Sequence, residues 1–276
     1  MSSKSDILKY FSKYIEEQIG IIYSEANSFQ LEHRLEDIAK ALGFGGLDDL
    51  WRQAQGGISG KFRELLLDQA TNNETSFFRD AAVFEAVTKF IVPEITKRNL
   101  DKKNIFFWSA AGSTGQEAYS IAMSMEAARR EDSAFPGYEI AVTDFSERVL
   151  AKAEKGIYSQ LEVQRGLTDK HLTSFFDKED DSHWRVKSIL RDRMRFRRQN
   201  LLEPFSSQLV GFDIVFCRNV LIYQSVENKI SVIERISRCM NPDGYLILGA
   251  AESMLGISNN FKQIQLGNAV AYQKIS

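Results

Sequence analysis

Residues 105–123 limit the fold more tightly than any other stretch. The apolar run Ile105-Phe106-Phe107-Trp108 gives way to the small residues Ser109-Ala110-Ala111-Gly112-Ser113-Thr114-Gly115. Gln116-Glu117-Ala118-Tyr119-Ser120-Ile121-Ala122-Met123 then follows with helical spacing. A strand, a tight turn and an amphipathic helix form the first crossover of an open α/β sheet, and such sheets bind ligands at the carboxyl ends of their strands. Ala110, Ala111, Gly112 and Gly115 predict a turn that a ligand can lie against, because no side chain stands in the way.

The surrounding pattern fits that reading. Tyr138–Thr143, Asp213–Cys217 and Tyr245–Leu248 read as further strands, with helical stretches between them, and Ala269–Lys274 as a returning edge strand. Alternating strands and helices predict a mostly parallel, doubly wound sheet. Asp80 is expected to begin a helix carrying Phe84, Val87 and Ile91, which Pro93 interrupts or bends. Residues 5–70 show no strand pattern. Ser5 is placed to cap a first helix with Ile7, Leu8, Phe11, Ile15 and Ile19. A second runs through Phe29, Leu31, Leu35, Ile38 and Leu42 to Gly43, and two shorter ones lie near Leu47–Gln53 and Ile58–Ala70. His183-Trp184-Arg185-Val186 and Arg193-Met194-Arg195-Phe196-Arg197 alternate around a polar turn, which predicts a β-hairpin or small β-subdomain near 183–198. Its seven basic residues (Arg185, Lys187, Arg191, Arg193, Arg195, Arg197, Arg198) read either as a solvated face or as a docking face for an acidic partner.

Composition narrows the function. A net charge of −2 argues against general nucleic-acid binding, which needs a basic excess. Cys217 and Cys239 form no CxxC pair and read as reduced thiols of a cytoplasmic protein. The polar start, Ser2 to Asp6, gives no sign of a signal peptide, and no apolar stretch reaches the roughly 18 residues of a membrane span.

Three ligands compete for the glycine turn. A nucleotide triphosphate needs Gly-Lys-Ser/Thr, whereas Gly115-Gln116-Glu117 has no lysine and places an acid where phosphate would sit. A dinucleotide wants G-x-G-x-x-G, and only Gly112 and Gly115 are present. S-adenosylmethionine fits better, because its cationic amine can face Glu117. Asp144, about 30 residues beyond Gly115, ends the next strand, where a carboxylate can accept both ribose hydroxyls; its other reading is the N-cap of a helix starting near Ser146. Asn200-Leu201 can edge the adenine, and Asn219 emerges at the same sheet edge, although either asparagine alone also reads as a turn residue.

At this point an ordered set of motifs resembles the chemotaxis receptor methyltransferases of the CheR type. The set is Thr71-Asn72-Asn73-Glu74-Thr75-Ser76-Phe77-Phe78-Arg79-Asp80, the 108–120 turn, Thr143-Asp144-Phe145-Ser146, Gly156-Ile157-Tyr158, Phe216-Cys217-Arg218-Asn219-Val220-Leu221-Ile222-Tyr223 and Asn241-Pro242-Asp243-Gly244-Tyr245. The resemblance implies a helical domain over 1–70, a linker over 71–80 that contributes to the cofactor site, and a Rossmann-like methyltransferase domain over 81–276 with a β-subdomain insertion. It implies S-adenosylmethionine as cofactor, with Asn73, Thr75, Arg79, Gly112, Glu117, Asp144, Asn200, Leu201, Asn219 and Val220 in contact with it, and Arg79 and Tyr223 near the transferred methyl. It also implies methyl-ester formation on glutamate side chains of the cytoplasmic helical domain of chemoreceptors. A receptor tail peptide at the β-subdomain would be a further contact, and the enzyme is expected to be a monomer. Ala118 and Gln224 depart from the family's usual proline and phenylalanine. The second helix, strongly basic in the family, here sets Arg34 and Lys40 among Glu32, Glu36 and Asp37.

The chemistry needs no general base, because a glutamate carboxylate with a pKa of about 4.3 is already ionised at pH 7. The chain offers only His33, His171 and His183, in no His–carboxylate motif, and neither Ser113 nor Cys217 has an obvious activating partner. Arg79 is expected to orient the incoming carboxylate or to help close the site; its plainer reading is an ion pair with Asp80 or Glu74. Two other functions stand beside the leading one: a methyltransferase for another acidic substrate, and a non-catalytic signalling module that binds S-adenosylmethionine.

Overall fold

The fold was examined in a computed structural model, which describes residues 3–24 and 27–275. It divides into two units, Met1–Asn72 with Tyr223–Asn228, and Asn73–Ile222 with Lys229–Ser276.

The first unit is helical: α1 (Lys4–Ile19), α2 (Ser28–Leu42), α3 (Leu47–Gln55) and α4 (Gly60–Ala70). Helix α1 starts two residues earlier than expected. Ser3, not Ser5, forms its capping box with Asp6. Ile7, Phe11 and Ile15 of α1 are buried together with Leu31 and Leu35 of α2, Leu50 of α3, and Leu66 and Leu67 of α4, the apolar core of this unit. Arg34 turns inward and donates to the Ala70 carbonyl (2.6 Å) and to the Tyr23 hydroxyl. The exposed face of α2 therefore carries Glu36, Asp37, His33 and Lys40, a mixed rather than basic surface. Gln224, buried, donates to the Ile19 carbonyl at the end of α1 (3.1 Å). Gly20 makes room for it, since a Cβ there would meet the Gln224 oxygen at 1.9 Å.

The second unit is the α/β body. Its first helix runs as α5 (Ala81–Ala86), a π-helical stretch (Val87–Ile91) and α6 (Val92–Arg98). Pro93 cannot donate to the preceding turn, and the wider π turn lies where that bond is missing, so the helix continues instead of ending. There follow β1 (Asn104–Ala110), α7 (Gln116–Glu131), β2 (Gly137–Asp144) and α8 (Glu147–Lys155). Next come β3 (Ile157–Ser159), α9 (Gln160–Gln164), α10 (Asp169–Phe175), β4 (Phe176–Lys178), β5 (His183–Val186), α11 (Ser188–Arg191) and β6 (Met194–Arg198). The chain finishes with β7 (Phe212–Cys217), a 3-10 turn (Leu221–Tyr223), α12 (Val226–Cys239), β8 (Met240–Leu248), β9 (Phe261–Leu266) and β10 (Ala269–Lys274).

The main sheet has seven strands in the order β6-β2-β1-β7-β8-β10-β9, parallel except where β10 runs against both its neighbours. All six residues of β7 are buried, as a central parallel strand requires. One sheet face packs Ile105, Phe107, Ile140, Val142, Ile214 and Phe216 against α5–α7; the other packs Trp108, Val215, Leu246 and Leu248 against Val232, Ile233 and Ile236 of α12.

Two expectations are corrected. Residues 183–186 and 194–198 do not form a hairpin. Strand β5 lies between β3 and β4 in a separate three-stranded antiparallel sheet, whereas β6 pairs in parallel with β2 in the main sheet; α11 divides them. Alternation marks a strand but does not name its partner. Ala269–Lys274 is not an edge strand either, because β9 covers its outer side. Three of the seven basic residues between 185 and 198 are paired within the unit: Arg185 with Glu179, Lys187 with Asp177 and Arg198 with Glu147. Among the described residues no helix is long and apolar enough to cross a membrane, and both cysteines are free thiols in buried positions.

Candidate functional site

The chain winds outward from β1 to β2 and β6, then returns to β7 on the other side of β1. The winding thus reverses at β1, and in open α/β sheets the carboxyl edge at such a reversal is where ligands bind. The turns after β1, β2, β6 and β7 all emerge there. They carry Gly112 and Glu117, Asp144, Asn200 with Leu201, and Asn219 with Val220. Nine expected positions, with Thr75 and Arg79 but without Tyr223, thus fall in one unit with Asn73.

The glycine turn is built differently from its sequence reading. Its left-handed residues are Ala111, Ser113 and Gly115 (φ 60°, 50° and 93°), and Gly112 is not among them. A Cβ on Gly112 would meet Val142 Cγ1 at 2.6 Å and Ser109 Oγ at 3.1 Å, so its missing side chain faces β2 and not an open crevice. Gly115, at φ 93°, likewise lies against Ala153 and the Tyr158 hydroxyl. Both glycines let the turn sit tightly on the body of the unit.

Asp144 is buried (6% exposed) at the end of β2. Its two oxygens accept from the backbone N–H groups of Ser113 and Ser146, both at 2.9 Å, which ties the β1 and β2 turns together. The helix that follows is capped by Ser146, whose hydroxyl accepts from Val149 N–H, so Asp144 is not its N-cap. Asn200, also buried, accepts from Leu202 N–H in an Asx-type turn (3.0 Å), with Leu201 beside it as an apolar wall.

The 73–80 segment reaches the same edge. The Asn73 carbonyl accepts from Ser113 Oγ (2.9 Å), and Phe78 N–H donates to Ser120 Oγ on α7 (2.9 Å). Phe77 is buried edge-on against Tyr158 (5.0 Å) and Phe176, while Phe78 stacks on His171 (4.6 Å). Burial, then the charge of Lys170, holds the His171 imidazole below its ordinary pKa. The Arg79 side chain is exposed and forms no ion pair among the described residues, so its plainer reading is not realised. Asp80 pairs instead with Arg218, and Glu74 with Arg165. Tyr223 belongs to the helical unit, where its hydroxyl accepts from the Asn72 amide (2.8 Å).

Two residues escaped the sequence reading. Arg218, with its side chain only 2% exposed, donates to Glu117 (3.1 Å), to Asp80 (2.5 Å) and to the Arg79 carbonyl (3.1 Å). Glu117 also accepts from Ser109 Oγ (2.8 Å). Glu252 accepts from four backbone N–H groups, those of Asn219 (2.8 Å), Leu221 (2.8 Å), Ile222 (3.2 Å) and Gly249 (2.7 Å), and so joins the turn after β7 to the turn after β8. It holds Asn219 in its left-handed conformation (φ 59°). A signal for Glu252 was present: Gly249-Ala250-Ala251-Glu252 follows a strand with small residues and then an acid, as Ala110–Glu117 does. Burial first, then the carboxylates of Glu252 and Glu117, pushes the Cys217 thiol well above its ordinary pKa, so it is no nucleophile.

The donor set suits S-adenosylmethionine and not a phosphate. It offers one acid at the end of β2, one in the first turn of α7, amides after β6 and β7, and aliphatic walls at Leu201 and Val220. Glu117 occupies the helix terminus where a pyrophosphate would otherwise lie.

This fold is an open, mostly parallel α/β body of the Rossmann-like methyltransferase kind, with two acids, Asp144 and Glu117, after its first strands. Residues 73–270 match the family described as CheR methyltransferase, SAM binding domain. The chain is 36% identical over 265 residues to the chemotaxis protein methyltransferase of Vibrio parahaemolyticus, covering 95% of this chain and 94% of that one. It is 35% identical over 275 residues to chemotaxis protein methyltransferase Cher2 of Pseudomonas putida, covering 99% of each. The chemotaxis protein methyltransferase 1 of Pseudomonas aeruginosa is 34% identical over the same length. The chain belongs to the CheR methyltransferase family, and S-adenosylmethionine is its cofactor.

Proposed function

We propose that the protein transfers the methyl group of S-adenosylmethionine to glutamate side chains in the cytoplasmic helical domain of methyl-accepting chemotaxis receptors. The observation that carries this reading is the near full-length likeness to curated chemotaxis protein methyltransferases, joined to a crevice with an acid at each side. In this reading Asp144 accepts from the ribose hydroxyls, Glu117 faces the amine, Asn200 and Leu201 edge the adenine, and Asn73, Thr75, Asn219 and Val220 complete the crevice.

Bound S-adenosylmethionine supplies an electrophilic methyl on a sulfonium. The acceptor is an ionised carboxylate at neutral pH, so the chain has no proton to remove. The three histidines are engaged elsewhere: His33 with Asp37, His171 with Phe78 and Thr168, and His183 with Asp180. What remains for the protein is alignment and the exclusion of water, which would otherwise stabilise the separated charges. Arg79 is exposed, forms no ion pair among the described residues and is suited to orient the carboxylate. A strong grip would weaken the nucleophile, so an exposed cation serves better than a buried clamp. Tyr223 is assigned to the methyl's surroundings through the family likeness. The mixed charge of α2 points to a receptor surface that is not strongly acidic.

The test is incubation with methyl-labelled cofactor and receptor-containing membranes, followed by mild base. Release of labelled methanol from the receptor band is expected. Label that survives base would mean an N-methyl or ether product, and cofactor binding with no transfer would favour a signalling module.

A further inference from the structure

We infer that Arg218 is a positioning residue that couples the cofactor-facing acid Glu117 to the turn presenting Arg79. The inference rests on the reading of Glu117 and Arg79 given above. The guanidinium stands between two segments distant in sequence. One terminal nitrogen donates to Glu117 on the first turn of α7; the other donates both to the Asp80 carboxylate and to the carbonyl of Arg79 itself. Among the described residues the Arg79 side chain forms no ion pair, and Asp80 sits in the left-handed region (φ 59°) with no side-chain capping bond to α5. Phe78 N–H already ties the preceding residue to α7 through Ser120 Oγ; Arg218 adds the link from the Glu117 carboxylate itself to residues 79 and 80.

Stability alone explains this arrangement poorly. Withdrawing a guanidinium from water costs much of what its ion pairs return, and apolar packing commonly does as well. Here the cost is only partly offset, because the Arg218 Nε–H is buried with no partner among the described residues. Asp80 is also 43% exposed at its side chain, which weakens that half of the cluster as a stabilising pair. What the cluster does provide is geometry. A planar fork can hold two acceptors at a fixed separation, which a lysine ammonium on a flexible stem cannot do. Glu252 fixes the following residues from the other side, so the turn after β7 is held at both ends.

The experiment compares Arg218→Lys, Asp80→Asn and Glu117→Gln with the wild-type chain. S-adenosylmethionine affinity is read by calorimetry without acceptor, methyl transfer by kcat and KM, and folding by thermal melting. Glu117→Gln is expected to weaken cofactor binding about tenfold, and Asp80→Asn to lower kcat about tenfold with binding within threefold of wild type. Arg218→Lys should do both. A tenfold change corresponds to about 1.4 kcal/mol. If Arg218→Lys and Asp80→Asn lower the melting temperature but leave affinity and kcat of the folded protein unchanged, Arg218 is structural and the inference is overturned. If the wild-type chain binds cofactor yet forms no base-labile ester, the proposed reaction fails instead, and the calorimetric arm still decides whether Arg218 acts through Glu117.

Discussion

Replacement of Asp144 by alanine separates two roles that the structure loads onto one carboxylate. Its oxygens satisfy Ser113 and Ser146 N–H, each at 2.9 Å and in a buried setting. Orphaning buried donors costs about 1–3 kcal/mol, so the ligand-free variant should unfold at lower urea. The proposed ribose bonds are also charge-assisted, worth roughly 1.5–3 kcal/mol. Their loss lowers affinity for S-adenosylmethionine about 10- to 100-fold at 1.4 kcal/mol per decade. Calorimetry on protein shown to be folded measures the second effect free of the first. Asp144→Asn, which keeps one oxygen, should fall between wild type and alanine in both measurements. Reduced stability with unchanged affinity would refute the ribose assignment and leave Asp144 as a tie between the β1 and β2 turns.

Three further outcomes follow from the geometry. Gly112→Ala overpacks against Val142 and should destabilise by about 1–3 kcal/mol, with partial recovery in the Gly112→Ala/Val142→Ala double variant; calorimetric affinity in the folded fraction should change little. Glu252→Gln leaves a single oxygen for the four N–H groups, and hydrogen exchange should accelerate at Asn219, Leu221 and Gly249, with no change expected in the β2 turn. His171 is held below the ordinary imidazole value, so the unfolded chain takes up a proton more readily than the folded one. Its contribution is therefore fully present above about pH 6.5 and is lost as pH falls through the folded-state value; urea midpoints across that range should drop less in His171→Asn than in wild type.

The strand, turn and helix at 105–123 were legible because local periodicity and small residues suffice to define them. The parallel body and the crevice followed from the order of such units. Pairing partners were not legible. The 183–186 segment finds its neighbours at 157–159 and 176–178, a long-range choice that a four-residue alternation cannot express. Strand β9 was missed because Phe261-Lys262-Gln263-Ile264-Gln265-Leu266 breaks simple alternation and needs only one buried side at the sheet's edge. Asp144 and Glu117 were visible as acids placed after a strand and at a helix start. Arg218 was quoted within its motif yet not singled out, since its meaning depends on partners about 100 and 138 positions away.

Gly112 carries a lesson for anyone scanning this protein by substitution. Intolerance at that position would be taken as proof of ligand contact, yet the neighbour it must not touch is a valine methyl one strand over. Bulk at the two positions is traded across the sheet, so natural variants should enlarge residue 112 only where residue 142 has shrunk, with the crevice itself indifferent to the exchange.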